Sequence, residues 1–535
     1  MSVVAAPRPP AAGGDVRPAP RRQLRWAIPT VVTALNAMAF LVVRPDVNDL
    51  WAARARASAV DHGVGLSYWF GWFAGGSTPG NYSVFTPTVC SLIGTELVGA
   101  LSAVAIAALA TVLLRGTRHP LAASAVAAVA VFANLWSGRI PFLLGGAFGV
   151  AALIAVRSRR RAWTVALTLL SVLASPVTAA FIALGLSGTF LTTRTRAYRP
   201  IVAYAAVTAG VGLVAVGLVF GTPGPEPFEF LFMLEVLGAL VLLWLARPPD
   251  HLRTTLYVTA LATVALFLVP NGMGSNISRF AFFCLPVAVV ALSTLRSRLI
   301  ALAVVPLAIA GGAGTVLDLV NAGRPISSAS YYDSLITQLD RLPGLSNCRV
   351  EVVDHGAHGG DYALLDHAQL ARGWETQENT ELNKALNDTA LDKTTYKVWL
   401  DNNAVCYVAL PAESVDSNPE YKLVAKGGIG YLTEIWHDAN WRLFQVLTPS
   451  HIVAAPATVL AYNQAAMTIH VPCTCTINVR VRWSHYLGAV LKQSTPGVKA
   501  VTAKVVDDGS GFTNVTTPQA GDYVLSGSLT GGFLH

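Results

Sequence analysis

The chain has 535 residues, of which 53% are hydrophobic and only 13% charged, against about 25% charged in an average soluble domain. The net charge of +8 conceals a split: residues 1–324 carry 24 Arg, no Lys and 10 Asp or Glu, whereas residues 325–535 carry 14 Lys or Arg and 20 Asp or Glu. This excludes a wholly soluble protein, and it places the basic residues at the ends of apolar runs rather than on a nucleic-acid-binding face.

Residues 1–25 are rich in Pro, Ala and Arg and bury little, so they read as a disordered cytoplasmic tail. Arg17, Arg21, Arg22 and Arg25 precede the first apolar run, 26–43. No small-residue cleavage site follows it and further spans do, so it reads as an uncleaved first helix. Hydropathy then places spans at 92–114, 120–136, 140–156, 162–175, 177–193, 200–220, 229–246, 254–270, 279–295 and 299–320, making about eleven crossings. Ser175-Pro176 marks a break between two short ones.

Short arginine clusters punctuate these runs, among them Arg115/Arg118, Arg157 to Arg161, Arg194 to Arg199, Arg247/Arg253 and Arg296/Arg298. The positive-inside rule puts 18 of the 24 arginines in the cytoplasm. Arg44, Arg54, Arg56, Arg139, Arg279 and Arg324 fall outside. An odd number of crossings then places the C-terminal part outside as well. The expected organisation is a tail (1–25), a transmembrane region (26–323) with a long outer loop (44–91), and an extracytoplasmic β-rich domain (324–535).

The loop 44–91 opens with Asp46 and Asp49, in a stretch read as an amphipathic helix lying on the membrane surface. Either aspartate is also a natural cap for that helix. An aromatic run follows, with Tyr68, Trp69 and Trp72, and then Tyr82. Such rings suit a headgroup belt or stacking on sugar faces. The shorter outer turns hold Arg139, the acids Glu226 and Glu229, and the stretch from Asn271 through Asn276 to Arg279. Arg139 and Arg279 stand beside glycines at helix ends, where guanidinium groups can take phosphate bidentately or snorkel to lipid headgroups. An acidic loop with arginines in later loops is what transfer from a lipid-linked phosphate needs: a carboxylate to deprotonate an acceptor hydroxyl and cations to stabilise the departing phosphate.

The C-terminal part reads as an α+β entry region with a helix over 331–342, then a β-sandwich-like portion with strands at 404–410, 477–483 and 523–529. Cys348, Cys406, Cys473 and Cys475 are available for one or two disulfides, the last two on an expected strand. Asp354, His355, His358, Asp361, Asp366 and His367 offer metal-ligand chemistry, but at no recognised zinc spacing. No metal site is therefore assigned, although a divalent cation is compatible with a phosphate leaving group. The sequence has no phosphate-cradling P-loop and no dinucleotide fingerprint.

Three stretches carry a resemblance: Asp49-Leu-Trp-Ala-Ala-Arg-Ala-Arg56 through Pro87; Asn134-Leu-Trp-Ser-Gly-Arg-Ile-Pro-Phe142; and Leu370-Ala-Arg-Gly-Trp-Glu-Thr-Gln377 with 396–400 and 407–410 downstream. In these the chain resembles the GT-C class of polyprenyl-phosphate-sugar-dependent glycosyltransferases, and more narrowly large actinobacterial integral membrane proteins. The resemblance implies a GT-C-like fold and a first-loop aspartate as general base, matched by Asp49 with Asp46 as runner-up. Many members have adjacent acids there, whereas this chain has Asp-x-x-Asp. It further implies a polyprenyl-phosphate sugar donor, with arabinose or mannose as candidate sugars, and a cell-envelope glycan or lipid acceptor. Donor phosphate is then expected at Arg139, Arg279, Asn276 and Arg56, and acceptor sugar at Tyr68, Trp69, Trp72, Tyr82, Arg372, Trp374 and Glu375. The competing classes are a transporter or flippase for lipid-linked precursors and a non-catalytic envelope scaffold. The near absence of polar residues at mid-membrane depth weighs against transport.

Overall fold

The computed structural model describes residues 20–192, 198–221, 224–413, 418–492 and 500–529. Most of the expected tail, including Arg17, and the loop residues Arg194 and Arg196 lie outside the described residues. The N-terminal part is helical. Among the described residues, seven helices are long and apolar enough to cross a membrane: Arg25–Val43, Thr95–Leu113, Ile140–Arg157, Arg199–Phe220, Asp250–Leu268, Gly274–Leu292 and Ser297–Ala322. Four shorter apolar helices accompany them, Pro120–Trp136, Arg161–Ala174, Pro176–Thr192 and Phe230–Leu245.

Proline sets several of these boundaries. Pro120, Pro141, Pro176 and Pro200 each sit in the first turn of a helix, where a missing N–H costs nothing. The expected break at Ser175-Pro176 is present, between helices ending at Ala174 and starting at Pro176. The run expected at 92–114 is instead interrupted at Gly94, which separates Thr86–Ile93 from Thr95–Leu113. Small side chains let the helices approach closely. Ser171 Oγ, for example, donates to the Gly145 carbonyl of the neighbouring helix at 2.8 Å.

The turns sort to two ends. At one, the Arg157 guanidinium donates to the carbonyls of Leu113 and Arg115, Arg118 N–H donates to Ala291 O at 2.9 Å, and the Arg159 guanidinium lies 4.3 Å from the Tyr198 ring centroid. At the other, Arg54 pairs with Glu96, Arg139 with Asp49, and Ser275 with Glu226. The alternation of arginine clusters along the chain thus corresponds to a physical separation of ends.

The C-terminal part packs on the second end and holds two sheets. The first has strand order β2-β1-β3-β5-β4, with β1 Arg349–Val352, β2 Gln369–Leu370, β3 Val405–Pro411, β4 Leu432–His437 and β5 Trp441–Val446. β1 runs parallel to β2 and β3, and the rest is antiparallel. The second is an antiparallel sheet of order β6-β7-β12-β9-β10-β11-β8: β6 Thr458–Tyr462, β7 Ala466–Val471, β8 Thr476–Arg482, β9 Leu487–Leu491, β10 Thr502–Asp507, β11 Phe512–Thr516 and β12 Gly521–Gly527. Inward residues from both of its ends, such as Ile469, Val479, Val515 and Tyr523, join one buried cluster, so the sheet curls around its own core.

Two disulfides are present. Cys348–Cys406 links the residue preceding β1 to the start of β3. Cys473–Cys475 lies in the turn between β7 and β8, not on a strand as expected. The histidines of the stretch 354–367 face separate partners. His355 is buried against Tyr332 and Trp441, His358 faces Asp361, and His367 faces Asp340. Among the described residues no group of three or more His, Cys, Asp or Glu is arranged to hold a metal ion.

Candidate functional site

The loop 44–91 builds the junction between the two parts of the molecule. Its helix Asn48–Asp61 starts at Val47 without a side-chain cap, so neither Asp46 nor Asp49 caps it. The expectation of an amphipathic surface helix is corrected, because the helix buries more than one face. Leu50, Ala53 and Ala57 pack with Phe40, Val98 and Leu135 of the membrane helices. Ala52, Ala55 and Ala59 pack with Leu335, Leu370 and Trp441 of the C-terminal domain. A helix between two apolar surfaces needs apolar or small residues all round, and alanine supplies them without bulk.

The two aspartates face different partners. Asp46 Oδ1 is 3.6 Å from Arg54, which also holds Glu96 at 2.7 Å; burial raises the Asp46 pKa against the opposing pull of Arg54. Asp49 Oδ2 is 3.4 Å from Arg139 Nε, and Arg139 Nη2 is 3.9 Å from Asp318 Oδ2. Gly138 makes this contact feasible. It adopts φ +76° and packs so tightly that a Cβ there would lie 2.5 Å from the Leu50 backbone nitrogen. Arg139 is therefore ion-paired rather than extended to lipid.

Arg279 approaches from another helix. The turn Gly274–Asn276 leads into Ile277–Arg279 and then a π-helical stretch, Phe280–Cys284, a geometry frequent at functional sites. Gly274 packs against the loop bearing Glu226; a Cβ there would lie 2.4 Å from the Glu226 carbonyl. Ser275 Oγ donates to Glu226 Oε1 at 2.9 Å. Burial raises the Glu226 pKa, partly opposed by Ser275 and Arg279. The charges acting on Arg279 are Arg139, Asp49, Tyr82 and Glu226. Among the described residues, Arg279 has no ion pair, and its guanidinium lies 5.8 Å from the Phe142 ring centroid. Phe142 also lines two adjoining apolar cavities of about 230 and 260 Å³, which share Gly146, Val150, Leu153, Cys284 and Ala288. Asn276 ends the turn three residues before Arg279.

Tyr82 joins this centre to the C-terminal domain. The Arg56 guanidinium lies 4.0 Å from its ring centroid. Burial pushes the Tyr82 hydroxyl up to about 12, with Arg56, Asp49, Arg279 and Glu375 all acting on it. Arg56 is buried and pairs with Glu375 at 2.5 Å, and among the described residues its Nη1 has no hydrogen-bond partner. Burial raises the Glu375 pKa, opposed by Arg56.

The aromatic run is corrected in role. Tyr68, Trp69 and Trp72 are 2%, 0% and 0% exposed, so none presents a face to a sugar. Their polar atoms hold the domains together: Tyr68 O–H donates to Arg482 O, Trp69 Nε1–H to Gln464 Oε1, and Trp72 Nε1–H to Asp361 O. Arg372 is likewise committed, with Glu420 at 3.0 Å, Asp354 at 3.1 Å and Glu351 at 3.4 Å. Burial would raise the Asp354 pKa, but Arg372 and His358 override it and hold it well below the carboxylate range. Burial drives His355 down to about 3, leaving a neutral imidazole. Trp374 is partly exposed and lines a cavity of about 190 Å³ with Asp354, His358, Asp361 and Asn379.

Sequence reading did not single out Asp318, Phe142 or Glu378. Asp318 carried a usable signal, as a lone acid near the end of an apolar span. Glu378 carried none, because a glutamate in a polar segment is usually solvated.

No family model matches the chain, and comparison with curated proteins gives no match. Among solved structures the chain is similar to the crystal structure of the Archaeoglobus fulgidus oligosaccharyltransferase in the apo form. The TM-score is 0.42 and the sequence identity 12%, over 72% of this chain and 69% of that one.

Proposed function

We propose that this protein is a membrane glycosyltransferase of the GT-C type that moves a sugar from a polyprenyl-phosphate donor to a cell-envelope glycan or lipid acceptor. The observation that carries the reading is Arg279: a guanidinium without an ion pair among the described residues, 5.8 Å from the ring of Phe142, which itself lines two apolar cavities. A lipid phosphate needs that combination, a cation at the headgroup and an apolar path for the chain. The Asp49–Arg139–Asp318 cluster beside it supplies the remaining chemistry.

In the proposed reaction the Asp49 carboxylate accepts the proton of an acceptor hydroxyl. The hydroxyl oxygen forms a bond to the anomeric carbon as the bond from that carbon to the phosphate oxygen breaks. Configuration inverts, and polyprenyl phosphate leaves carrying the electron pair. Arg279 and Arg139 stabilise the charge that develops on it. Asp46 is the less well placed of the two, because it faces Arg54 and Glu96 rather than Arg139. Arabinose and mannose are the proposed sugars, on the resemblance in the three sequence stretches. The reaction is placed on the extracytoplasmic face with the N-terminus in the cytoplasm. The arginine distribution and the two disulfides of the C-terminal domain support that orientation.

The test is transfer of labelled sugar from polyprenyl-phosphate arabinose or mannose to an oligosaccharide by the purified protein in nanodiscs, with and without chelator. Asp49→Asn is expected to lower the rate by about 10²–10⁴-fold, the usual contribution of a general base. Unchanged transfer by both Asp49→Asn and Asp46→Asn would remove the proposed base. Donor movement across the bilayer without transfer would favour the flippase reading.

A further inference from the structure

A further cavity, of about 640 Å³, opens where the first long loop, two turns of the membrane part and the helix Thr376–Leu382 meet. Its polar walls include Thr78, Asn81, Asn271, Glu378 and Glu381, and Phe220 supplies an apolar face. Its size falls in the range of about 300–1,000 Å³ typical of small-molecule sites. Among the described residues no Lys, Arg or His lines it, so it is not built for phosphate. Amides, a hydroxyl, carboxyl groups and an apolar surface are the set that holds a polyol through its hydroxyls and C–H faces.

Glu378 is the informative residue. It is 8% exposed; Ser77 hydrogen-bonds its carboxyl, but among the described residues its Oε2 is buried without a hydrogen-bond partner, an unmet need inside a protein. Glu375, three residues earlier, takes the nearby guanidinium of Arg56. Two buried carboxyls with one guanidinium favour a proton on one of them. A protonated carboxyl both donates and accepts hydrogen bonds, which matches a sugar hydroxyl and mismatches a cation.

The cavity adjoins the charged centre residue by residue. Asn81 precedes Tyr82, Pro225 precedes Glu226, and Asn271 O accepts the Glu226 N–H at 2.8 Å. We infer that this cavity binds the carbohydrate acceptor, an uncharged oligosaccharide, with Glu378 as its buried hydrogen-bonding anchor. The inference rests on the transferase reading for the role of the glycan. It separates the two substrates by charge: phosphate at Arg139 and Arg279, polyol at Glu378.

The experiment measures binding of arabinose- and mannose-based trisaccharides to the full chain in nanodiscs by calorimetry, without donor. Glu378→Leu and Asn81→Ala are each expected to raise the Kd at least tenfold, while Glu378→Gln, which keeps a neutral donor and acceptor, retains binding. Binding of polyprenyl phosphate is unchanged in all three. Equal trisaccharide binding by Glu378→Leu and the native protein overturns the inference, as does Glu378-dependent binding of Mg²⁺ or Ca²⁺ in place of sugar. The two readings fail separately. Glu378-dependent sugar binding without transfer by the native protein sinks the transferase and leaves the cavity. Transfer with an unchanged acceptor KM in Glu378→Leu sinks the cavity and leaves the transferase.

Discussion

At the residue scale, the two arginines proposed for the phosphate differ in their partners. Arg139 is neutralised by Asp49 and Asp318, whereas Arg279 rests on an aromatic ring and has no ion pair among the described residues. Arg279 is thus the better anion receptor. Arg279→Ala is expected to lower kcat/KM for the donor by about 10²-fold or more, as for loss of a group that stabilises developing negative charge. Arg279→Lys should recover part of this, since charge returns without the bidentate fork; steady-state kinetics in donor concentration read both. Glu378 gives a prediction on stability. Burial, and then the neighbouring Glu375, hold its pKa well above the ordinary 4.5, with Arg56 and a hydrogen bond from Ser77 opposing. A raised pKa means that the folded state prefers the protonated form. Its contribution is complete below pH 4.5 and is lost as the pH rises through the folded-state value. Glu378→Gln, neutral throughout, should gain Tm relative to the native protein between pH 4 and pH 8; a constant difference across that range contradicts the protonated assignment.

At the scale of elements, the site depends on how closely the turn at Gly138 meets the start of the helix Asn48–Asp61. An alanine there would need a left-handed backbone, at about 1–2 kcal/mol, and its Cβ would overlap Leu50. Gly138→Ala is therefore expected to move Arg139 away from Asp49 and reduce transfer at least tenfold. Far-ultraviolet circular dichroism should stay unchanged, because the long helices do not depend on this contact. Loss of helicity in step with activity would make the position a folding determinant instead. The same helix shows why an element can mislead. Its alternation of Ala with Arg and Trp resembles a surface helix, yet the membrane helices pack on one side of it and the C-terminal domain on another.

At the scale of the whole molecule, the arginine-rich turns gather at one end, and the acids, Arg139 and Arg279 gather with the disulfide-bonded domain at the other. With the proposed orientation, a cysteine placed at Ser158 should react with a membrane-impermeant thiol reagent only after the cells are opened. One placed at Ser510 should react in intact cells. The reverse pattern removes the extracytoplasmic reaction centre.

The order of apolar runs, the break at Ser175-Pro176 and the segregation of charge were legible in the sequence alone, because hydropathy and proline geometry act locally. The strands near 477–483 and 523–529 were legible for the same reason, through period-two alternation, and that near 404–410 as a short continuous apolar run, buried at every position. Asp49, Arg139 and Arg279 could be named as candidates from loop position. That Asp49 rather than Asp46 meets Arg139 was decided only by tertiary packing, since both lie on one short stretch and differ in which neighbour comes close. The burial of Tyr68, Trp69 and Trp72, the commitment of Arg372 to three carboxyls, and the unpartnered oxygen of Glu378 belong to tertiary structure too. Each depends on contacts between segments tens to hundreds of residues apart, and a side chain's chemistry follows from what surrounds it, which no local pattern encodes.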